Sequence, residues 1–563
     1  MRLACGVVLF AALVACGKAD NKETPGTPGT QPPVTATPET GPHVTLRFAY
    51  SSEKKAWLEQ VLPQFAATHP KLANGRAIVV EATSYGSGEA SAAILDGSFK
   101  ANVYSPASSA YLALLNDKWR ASHGGKQIAA TSEPLVLSPI VIAMWKPMAE
   151  ALGWPTKDIG WSDIIKVSKD PRGWASLDHP EWGLFKLGHT HPEFSNSGLL
   201  AVLAEAFAGA GKTRGLTVED VKAPKTSAYV HQIEDAIVHY GKSTGLFTEQ
   251  MLDHGPGYMS AAITYENLVS ESYAKPGHAP FPLVAIYPVE GTFWSDHPYA
   301  VLDTETTGAD EKAAAAQLLA FLKARPQQES ARAFGFRPAD PKLEIAAPLD
   351  LAHGVDPKQP QTLLDVPPVE VLTALLAVWR EQKKAADVMI VFDRSGSMAG
   401  DPLAQAKEGA RAFVTGLDDR DALSILFFSS DLDTPVEPVP LKQARAKLLQ
   451  QIDGVFANGG TALYDAVDAA YKVMLARAKK MPGQIHAIVV MTDGKDEDSK
   501  MQLAALNAKF NPENAPVKIF TIAYGDSADP TVLQSIAKAA QGTSVKGTAA
   551  TIVEVYRDLS AFF

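Results

Sequence analysis

At residues 387–398 the chain reads Asp387-Val388-Met389-Ile390-Val391-Phe392-Asp393-Arg394-Ser395-Gly396-Ser397-Met398. A run of apolar and β-branched residues that ends in an acid and two hydroxyls at alternate positions is typical of a buried strand followed by a polar loop. Open α/β sheets bind ligands beyond the carboxyl ends of their strands, and Mg²⁺ prefers oxygen ligands. Asp393, Ser395 and Ser397 therefore predict a cation site in this loop.

Strand and helix patterns alternate from this segment to the end of the chain. Further apolar runs with strand character lie at 422–428, 487–491 and 518–524, and helical patterns separate them. Such alternation over residues 387–563 predicts an α/β unit with a doubly wound, mostly parallel, Rossmann-like sheet that has helices on both faces.

Two later segments of this unit offer oxygen ligands in the same strand-end context. Thr461 follows Gly459-Gly460, and Asp493 follows the strand 487–491. Together with Asp393-x-Ser395-x-Ser397, they resemble the metal-ion-dependent adhesion site (MIDAS) of von Willebrand factor A (VWA) domains.

This resemblance implies a ligand set of Asp393, Ser395, Ser397, Thr461 and Asp493 for Mg²⁺, or for Mn²⁺ or Ca²⁺ in its place. The serine and threonine hydroxyls would coordinate the cation, while the two aspartates act mostly through waters. An acidic side chain of a protein partner would then complete the coordination. The alternative is a degenerate domain in which Ser395 and Ser397 only cap a turn.

Residues 44–368 also alternate between strands and helices, beginning with a β-α-β pattern at 44–50, 54–67 and 77–82. This order of elements, with Ser195-Asn196-Ser197-Gly198-Leu199 after a loop rich in His and Pro, resembles the type 2 periplasmic solute-binding proteins. The resemblance implies two α/β lobes that close on a ligand. Residues 369–386 have helical propensity and are interpreted as a connector to the VWA unit.

The resemblance also implies a set of ligand contacts in loops at helix N-termini: Ser84, Ser108, Ser109, Ser195, Asn196, Ser197, Tyr265 and Glu266. Hydroxyls and helix dipoles suit a small polar solute or an oxyanion, although Glu266 would repel an anion unless it were protonated or turned away. The loop 83–88 likewise leads into a helix whose free N–H groups can receive an anion. Alternatively, the serines are ordinary N-caps and the lobes form a scaffold.

His189, His191 and Glu193 offer zinc ligands close together in the sequence. The sequence shows no fourth ligand, and Pro192 interrupts the group. A turn that leads into the next helix is therefore favoured over a zinc site.

The amino-terminal segment has the pattern of a bacterial lipoprotein. The apolar run to residue 15 predicts a signal peptide at 1–15, and Leu13-Val14-Ala15-Cys16 resembles a lipobox, which implies cleavage and acylation (palmitate) at Cys16. Residues 16–43 are rich in Pro, Thr and Gly and predict a disordered tether. In Gram-negative lipoproteins, an Asp directly after the lipidated Cys resembles an inner-membrane retention signal. This chain has Gly17 at that position, which favours the outer membrane, with the folded part exposed to the periplasm or the surface. The alternative is an ordinary cleaved signal peptide.

Composition narrows the class of function. With 46% hydrophobic and 20% charged residues, the 563-residue chain is typical of soluble globular proteins, and its net charge of -10 argues against a nucleic-acid partner. The sequence contains no recognisable catalytic constellation, which predicts a protein that is not an enzyme. The favoured hypothesis is an envelope lipoprotein that binds a protein partner through the VWA metal site, and the alternative is a receptor for transport or sensing of a small solute.

Overall fold

The computed structural model describes residues 34–35, 41–274, 277–434, 438–510, 515–560 and 562–563. The predicted signal peptide, Cys16 and most of the predicted tether lie outside these residues. In the ranges that are described, every helix is too short or too polar to cross a bilayer.

The part of the chain before residue 383 is a mixture of strands and helices. Its strands are β1 (Val34–Thr35), β2 (His43–Ser51), β3 (Ala77–Tyr85), β4 (Val103–Ser105), β5 (Glu133–Pro134), β6 (Val136–Trp145), β7 (Leu187–Thr190), β8 (Ile237–Gly241), β9 (Ala261–Tyr265), β10 (Leu283–Ile286), β11 (Trp294–Ser295), β12 (Pro298–Val301) and β13 (Arg337–Pro338). Its α-helices are α1 (Lys55–Ala67), α2 (Ser87–Leu95), α3 (Ser109–Ser122), α4 (Lys146–Leu152), α5 (Trp161–Lys169), α6 (Asn196–Ala210), α7 (Val218–Lys222), α8 (Pro224–Glu234), α9 (Thr244–His254), α10 (Glu266–Ser272), α11 (Ala309–Leu322), α12 (Arg325–Ala333) and α13 (Val369–Gln382).

These strands form two sheets, and each sheet is the centre of one lobe. The first sheet has the order β1-β3-β2-β4-β12-β5, and the second has the order β10-β6-β9-β7-β8 with β11 and β13 also paired to β6. The chain passes to the second sheet after β5 and returns to the first at β12. Each lobe is therefore built from separate segments of the chain, and one apolar cluster includes residues of both lobes.

The carboxyl-terminal unit is a single sheet with helices on both faces. Its strands are β14 (Ala386–Asp393), β15 (Ala422–Phe428), β16 (Ile485–Thr492), β17 (Lys518–Tyr524) and β18 (Ser544–Gly547). Its α-helices are α14 (Asp401–Gly416), α15 (Leu441–Gly454), α16 (Leu463–Lys480), α17 (Leu503–Asn507), α18 (Pro530–Ala539) and α19 (Ile552–Ser560). The order β15-β14-β16-β17-β18 is parallel throughout, which confirms the predicted fold class.

Strand β14 shows why this sheet is covered on both faces. Successive side chains of a strand point to opposite faces, and all residues of β14 are buried. Val388, Ile390 and Phe392 belong to the apolar cluster that includes Phe413 of α14. Met389 and Val391 belong to a second cluster that includes residues of α16 and α18.

The connector helix α13 lies against α6, α7 and α8 of the second lobe. Its Trp379 is fully buried, and one apolar cluster continues from the second lobe through α13 into the carboxyl-terminal unit. Lys242, which follows β8, also joins three parts of the molecule, because its Nζ lies 2.6 Å from a carboxylate oxygen of Glu89 on α2 and 2.6 Å from one of Asp558 on α19.

Candidate functional site

The predicted MIDAS residues meet at the carboxyl edge of the parallel sheet. Strands β14 and β16 are neighbours, with Phe392 opposite Met491, so both strands end side by side. Asp393 is the last residue of β14, and Asp493 directly follows β16. The register therefore places two aspartates from distant parts of the chain at one edge.

Asp393 is fully buried, and both of its carboxylate oxygens accept hydrogen bonds. Ser395 N donates to Oδ1 at 2.8 Å, and the Thr492 hydroxyl donates to Oδ2. Burial raises the pKa of Asp393 to about 6, and the negative charge of Asp493 acts in the same direction. Burial also raises the pKa of Asp493. A divalent cation would favour the ionised form of both groups.

The hydroxyl groups lie next to these carboxylates. Ser397 Oγ donates to Asp493 Oδ1 at 2.8 Å and lies 3.1 Å from Ser395 Oγ. Thr461 Oγ1 lies close to Gly494, the residue after Asp493. A Cβ added at Gly494 would be only 3.2 Å from this hydroxyl. The structure thus brings together all five residues of the predicted set.

Backbone hydrogen bonds hold the loops that carry these side chains. Gly396 N donates to Gly459 O at 2.9 Å, and Asn458 N donates to Arg394 O at 2.8 Å. Gly459 adopts a φ of +75°, a conformation that glycine reaches without strain. The loop that delivers Thr461 is therefore tied to the loop that delivers Ser395 and Ser397.

A cavity of about 640 Å³ opens over the constellation. Its lining includes four carboxylates, on Asp493, Glu497, Asp526 and Asp529, and one ammonium group, on Lys495. The donor atoms of the five-residue set are oxygens only, which suits Mg²⁺, Mn²⁺ or Ca²⁺ better than a softer ion. The residues present therefore fit a hard divalent cation.

Five of the residues implied for solute binding form one buried polar network at the contact between the lobes. Ser108 Oγ, from the first lobe, donates to Asn196 Oδ1 at 2.6 Å, and Asn196 Nδ2 donates to Tyr265 Oη at 2.9 Å. The hydroxyls of Ser195 and Ser197 both contact Thr244 Oγ1, at 3.0 Å and 2.8 Å. In this arrangement the polar groups satisfy one another.

The other three implied residues do not join this network. Ser84 is half-buried on β3, and Ser109 is exposed, with its backbone N–H donated to Asp296 Oδ1 at 2.8 Å. The Glu266 carboxylate is turned toward Arg337, whose Nε and Nη2 donate to it at 2.7 Å and 2.5 Å. This ion pair gives Glu266 a partner other than a solute.

The loop at 83–88 also has a protein partner at the start of its helix. The N–H groups of Gly88 and Glu89 donate to Phe194 O of the second lobe at 2.9 Å and 3.2 Å. The N-terminus of α2, predicted as a receptor for an anion, thus contacts the opposite lobe.

Sequence reasoning missed a buried charged group beside the polar network between the lobes. Lys54 is fully buried, and its Nζ lies 3.2 Å from Glu53 Oε1 and 3.3 Å from His297 Nδ1. The ring of His297 lies 5.6 Å from the ring of Tyr265. Glu53 and Lys54 follow β2 closely in the sequence. Charged residues at a strand end can indicate a ligand site, so this pattern could have revealed the group.

His189, His191 and Glu193, which are candidate zinc ligands in the sequence, have different partners and do not form one site. Glu193 forms an ion pair with Arg380 of α13, and its backbone N–H donates to His191 Nδ1 at 3.3 Å. The ring of His189 points elsewhere, with Nε2 3.0 Å from Glu234 Oε1.

Two family models match the chain. The model described as "Bacterial extracellular solute-binding protein" matches residues 46–337, and the model for the von Willebrand factor type A domain matches residues 387–558. The first match covers more than half of the chain and the second covers the unit that carries the five-residue constellation. The predicted resemblances to solute-binding proteins and to VWA domains are thereby confirmed.

Individual proteins resemble one part of the chain or the other. An uncharacterized protein of Synechocystis sp. is 26% identical over 180 residues, which are 31% of this chain and 40% of that protein. A solved von Willebrand factor type A structure from Catenulispora acidiphila covers 32% of this chain and 42% of its own, at 24% identity and a TM-score of 0.28. A periplasmic thiamin-binding protein covers 60% of this chain and 96% of its own, at 14% identity and a TM-score of 0.43. The chain spans 40%, 22% and 14% of the length of three curated relatives that it matches.

Proposed function

Because the chain belongs to the family of bacterial extracellular solute-binding proteins and carries a VWA domain, we propose that it binds a protein partner through a divalent cation held in that domain. The residues that hold the cation are Asp393, Ser395, Ser397, Thr461 and Asp493. The function is binding without catalytic turnover.

The observation that carries this proposal is the convergence of the five side chains at one sheet edge beneath an open cavity. Ser395, Ser397 and Thr461 present hydroxyl oxygens, and Asp493 holds the Ser397 hydroxyl in place at 2.8 Å. Both oxygens of Asp393 are already engaged by Ser395 N and Thr492 Oγ1, so Asp393 orients the loop and supplies negative charge. A bound Mg²⁺ would supply positive charge and an open coordination position for an acidic side chain of the partner.

The family supports an envelope or periplasmic location, because its members are extracellular solute-binding proteins. We further propose that the chain is anchored there by lipid on Cys16, in the outer membrane, with residues 17–43 as a tether. The lipobox-like Leu13-Val14-Ala15-Cys16 supports this anchoring.

Calorimetric titration of the whole chain with Mg²⁺ tests the cation site. The wild type and Thr415→Ala should bind Mg²⁺ equally, because Thr415 lies on the exposed side of α14 and bonds only to backbone carbonyls of its own helix. Thr461→Ala should weaken binding at least tenfold. Equal binding by Thr461→Ala and the wild type would refute the assignment.

A second function, capture of a small polar solute or oxyanion for transport or sensing, is favoured by the polar network between the lobes. Asn196 is central to that network, since its side chain contacts Ser108 of one lobe and Tyr265 of the other. A solute would have to exchange its own polar groups for these contacts. A screened solute should raise the melting temperature of the wild type but not of Asn196→Ala. If no polar solute or oxyanion in the screen raises that temperature, this second function fails.

A further inference from the structure

A second cluster of ligand-type side chains lies inside the second lobe and shares no residue with the polar network between the lobes or with the VWA domain. It consists of His189 on β7, Glu205 on α6 and Glu234 at the end of α8, and all three are fully buried. One ligand atom from each residue lies within 4.8 Å of the other two. Residues 45 positions apart in the sequence, such as His189 and Glu234, meet here because α6 and α8 pack together beside β7.

Glu205 is the unusual member of this cluster. Neither of its carboxylate oxygens has a hydrogen-bond partner in the described part of the chain, although the side chain is completely buried. Burial raises the pKa of Glu205 well above its usual range, and the neighbouring charge of Glu234 raises it further. A buried carboxylate without a partner is strongly unfavourable, so a proton or a cation must compensate it.

The hydrogen bonds of His189 indicate which of its nitrogens faces the cluster as a ligand. Nδ1 lies 2.7 Å from the carbonyl oxygen of Thr190, which only accepts hydrogen bonds, so Nδ1 carries the proton. Nε2 points at Glu234 Oε1 from 3.0 Å. A histidine whose outer N–H is fixed by a carbonyl is the usual arrangement of a metal ligand.

Glu234 is oriented in the same way by its neighbours. Tyr240 Oη donates to Oε2 at 2.6 Å, and Trp379 Nε1 donates to Oε1 at 3.0 Å. Hydrogen bonds of this kind hold a carboxylate ligand in place. Because Trp379 belongs to α13, the cluster is linked directly to the connector between the lobes and the VWA domain.

We propose that His189 Nε2, Glu205 and Glu234 bind a zinc ion that stabilises the second lobe and the seat of α13. Two carboxylates and one neutral imidazole balance the charge of a divalent ion, so the complete site would be neutral in its buried surroundings. Mixed nitrogen and oxygen ligands suit zinc, and either carboxylate can provide a second oxygen as the fourth ligand.

Zinc content of the whole chain tests this site directly. The protein should be unfolded and refolded with zinc, dialysed, and analysed by elemental mass spectrometry. The wild type should retain one zinc ion per chain, and so should Thr461→Ala, in which the MIDAS threonine is absent. Glu205→Gln should lose the ion, whereas the matched control Glu193→Gln should keep it, because Glu193 pairs with Arg380 instead.

In the Thr461→Ala background, which lacks a ligand of the VWA cation site, refolding in the presence of a chelator should lower the melting temperature. The same treatment should leave the melting temperature of the double variant Thr461→Ala/Glu205→Gln unchanged. Retention of zinc by Glu205→Gln would overturn the proposal. So would a zinc-free Thr461→Ala variant whose melting temperature ignores the chelator, since the cluster would then be compensated by protons. If Glu205→Gln does not fold, the visible absorption spectrum of the Co²⁺-loaded wild type tests the site instead. The intense bands of tetrahedral Co²⁺ would support the site, and their absence would refute it.

Discussion

Replacing Asp393 by Asn should stabilise the cation-free protein at neutral pH. Burial raises the pKa of Asp393 to about 6, from an ordinary value of 3.8. The protonated acid therefore favours folding, fully below pH 3.8, and this contribution is lost as the pH rises through 6. The two pKa values differ by about 2, and ~1.36 kcal/mol per pKa unit gives an ionisation penalty of about 3 kcal/mol at neutral pH.

The Asn side chain can keep the local hydrogen bonds. Its oxygen can accept from Ser395 N, as Asp393 Oδ1 does. Its amide group can donate to Thr492 Oγ1, whose own hydrogen must then turn toward Gly494 O, 3.5 Å away. This weaker bond reduces the expected gain to about 1–3 kcal/mol.

Mg²⁺ should reverse the order of stability. A ligand at one thousand times its Kd stabilises the folded state by about 4.1 kcal/mol, which exceeds the gain of about 1–3 kcal/mol expected from Asn. The wild type receives this stabilisation, whereas Asp393→Asn lacks the negative charge that attracts the cation. The variant should therefore be the more stable protein in EDTA and the less stable one in saturating Mg²⁺.

Hydrogen exchange of a peptide that spans β14 measures this crossover locally. Protection of residues 386–393 should be higher in Asp393→Asn than in the wild type in EDTA at pH 7, and the difference should shrink toward pH 4. Asp117→Asn, an exposed acid on α3, serves as the matched control and should change nothing. Lower protection of Asp393→Asn in EDTA at pH 7 would refute the reasoning.

Three further predictions concern other parts of the chain. Lys242→Met leaves the carboxylates of Glu89 and Asp558 without the ammonium group that they share. It should lower the free energy of unfolding, measured by urea titration, by about 3 kcal/mol. An unchanged free energy of unfolding would show that the ion pairs do not stabilise the protein. Gly198→Ala places a Cβ 1.8 Å from the Thr190 carbonyl oxygen, so it should reduce the melting temperature and cost about 3 kcal/mol, whereas Gly454→Ala, with open space around it, should be tolerated. Cys16→Ser should abolish palmitate labelling and release the protein from membranes, and continued labelling would exclude Cys16 as the acylated residue.

The sequence predicted the architecture correctly where the strand and helix patterns were long. Strand β14 is eight residues of mostly apolar side chains that end in an acid, and the alternation after it allowed few folds other than a doubly wound sheet. Strand β18 was missed because it is an edge strand of four residues with one apolar side chain, Val545. Helix α17 was missed because it has only five residues.

The five VWA residues were predictable because each sits at a strand end or beside a glycine pair. The groups that depend on tertiary packing were not. Glu266 was assigned to a solute, but its partner Arg337 lies 71 positions away on β13. Glu205 and Glu234 looked like ordinary helix residues, and only the packing of α6, α8 and β7 places them beside His189.

The central claim is that the VWA domain binds a partner carboxylate through a divalent cation. A pull-down from envelope extract with the whole chain as bait, in Mg²⁺ and in EDTA, tests it most directly. We predict a partner that is captured by the wild type and Thr415→Ala in Mg²⁺, is released by EDTA, and is not captured by Thr461→Ala. Capture that is equal in Mg²⁺ and EDTA, and equal with Thr461→Ala, would contradict it.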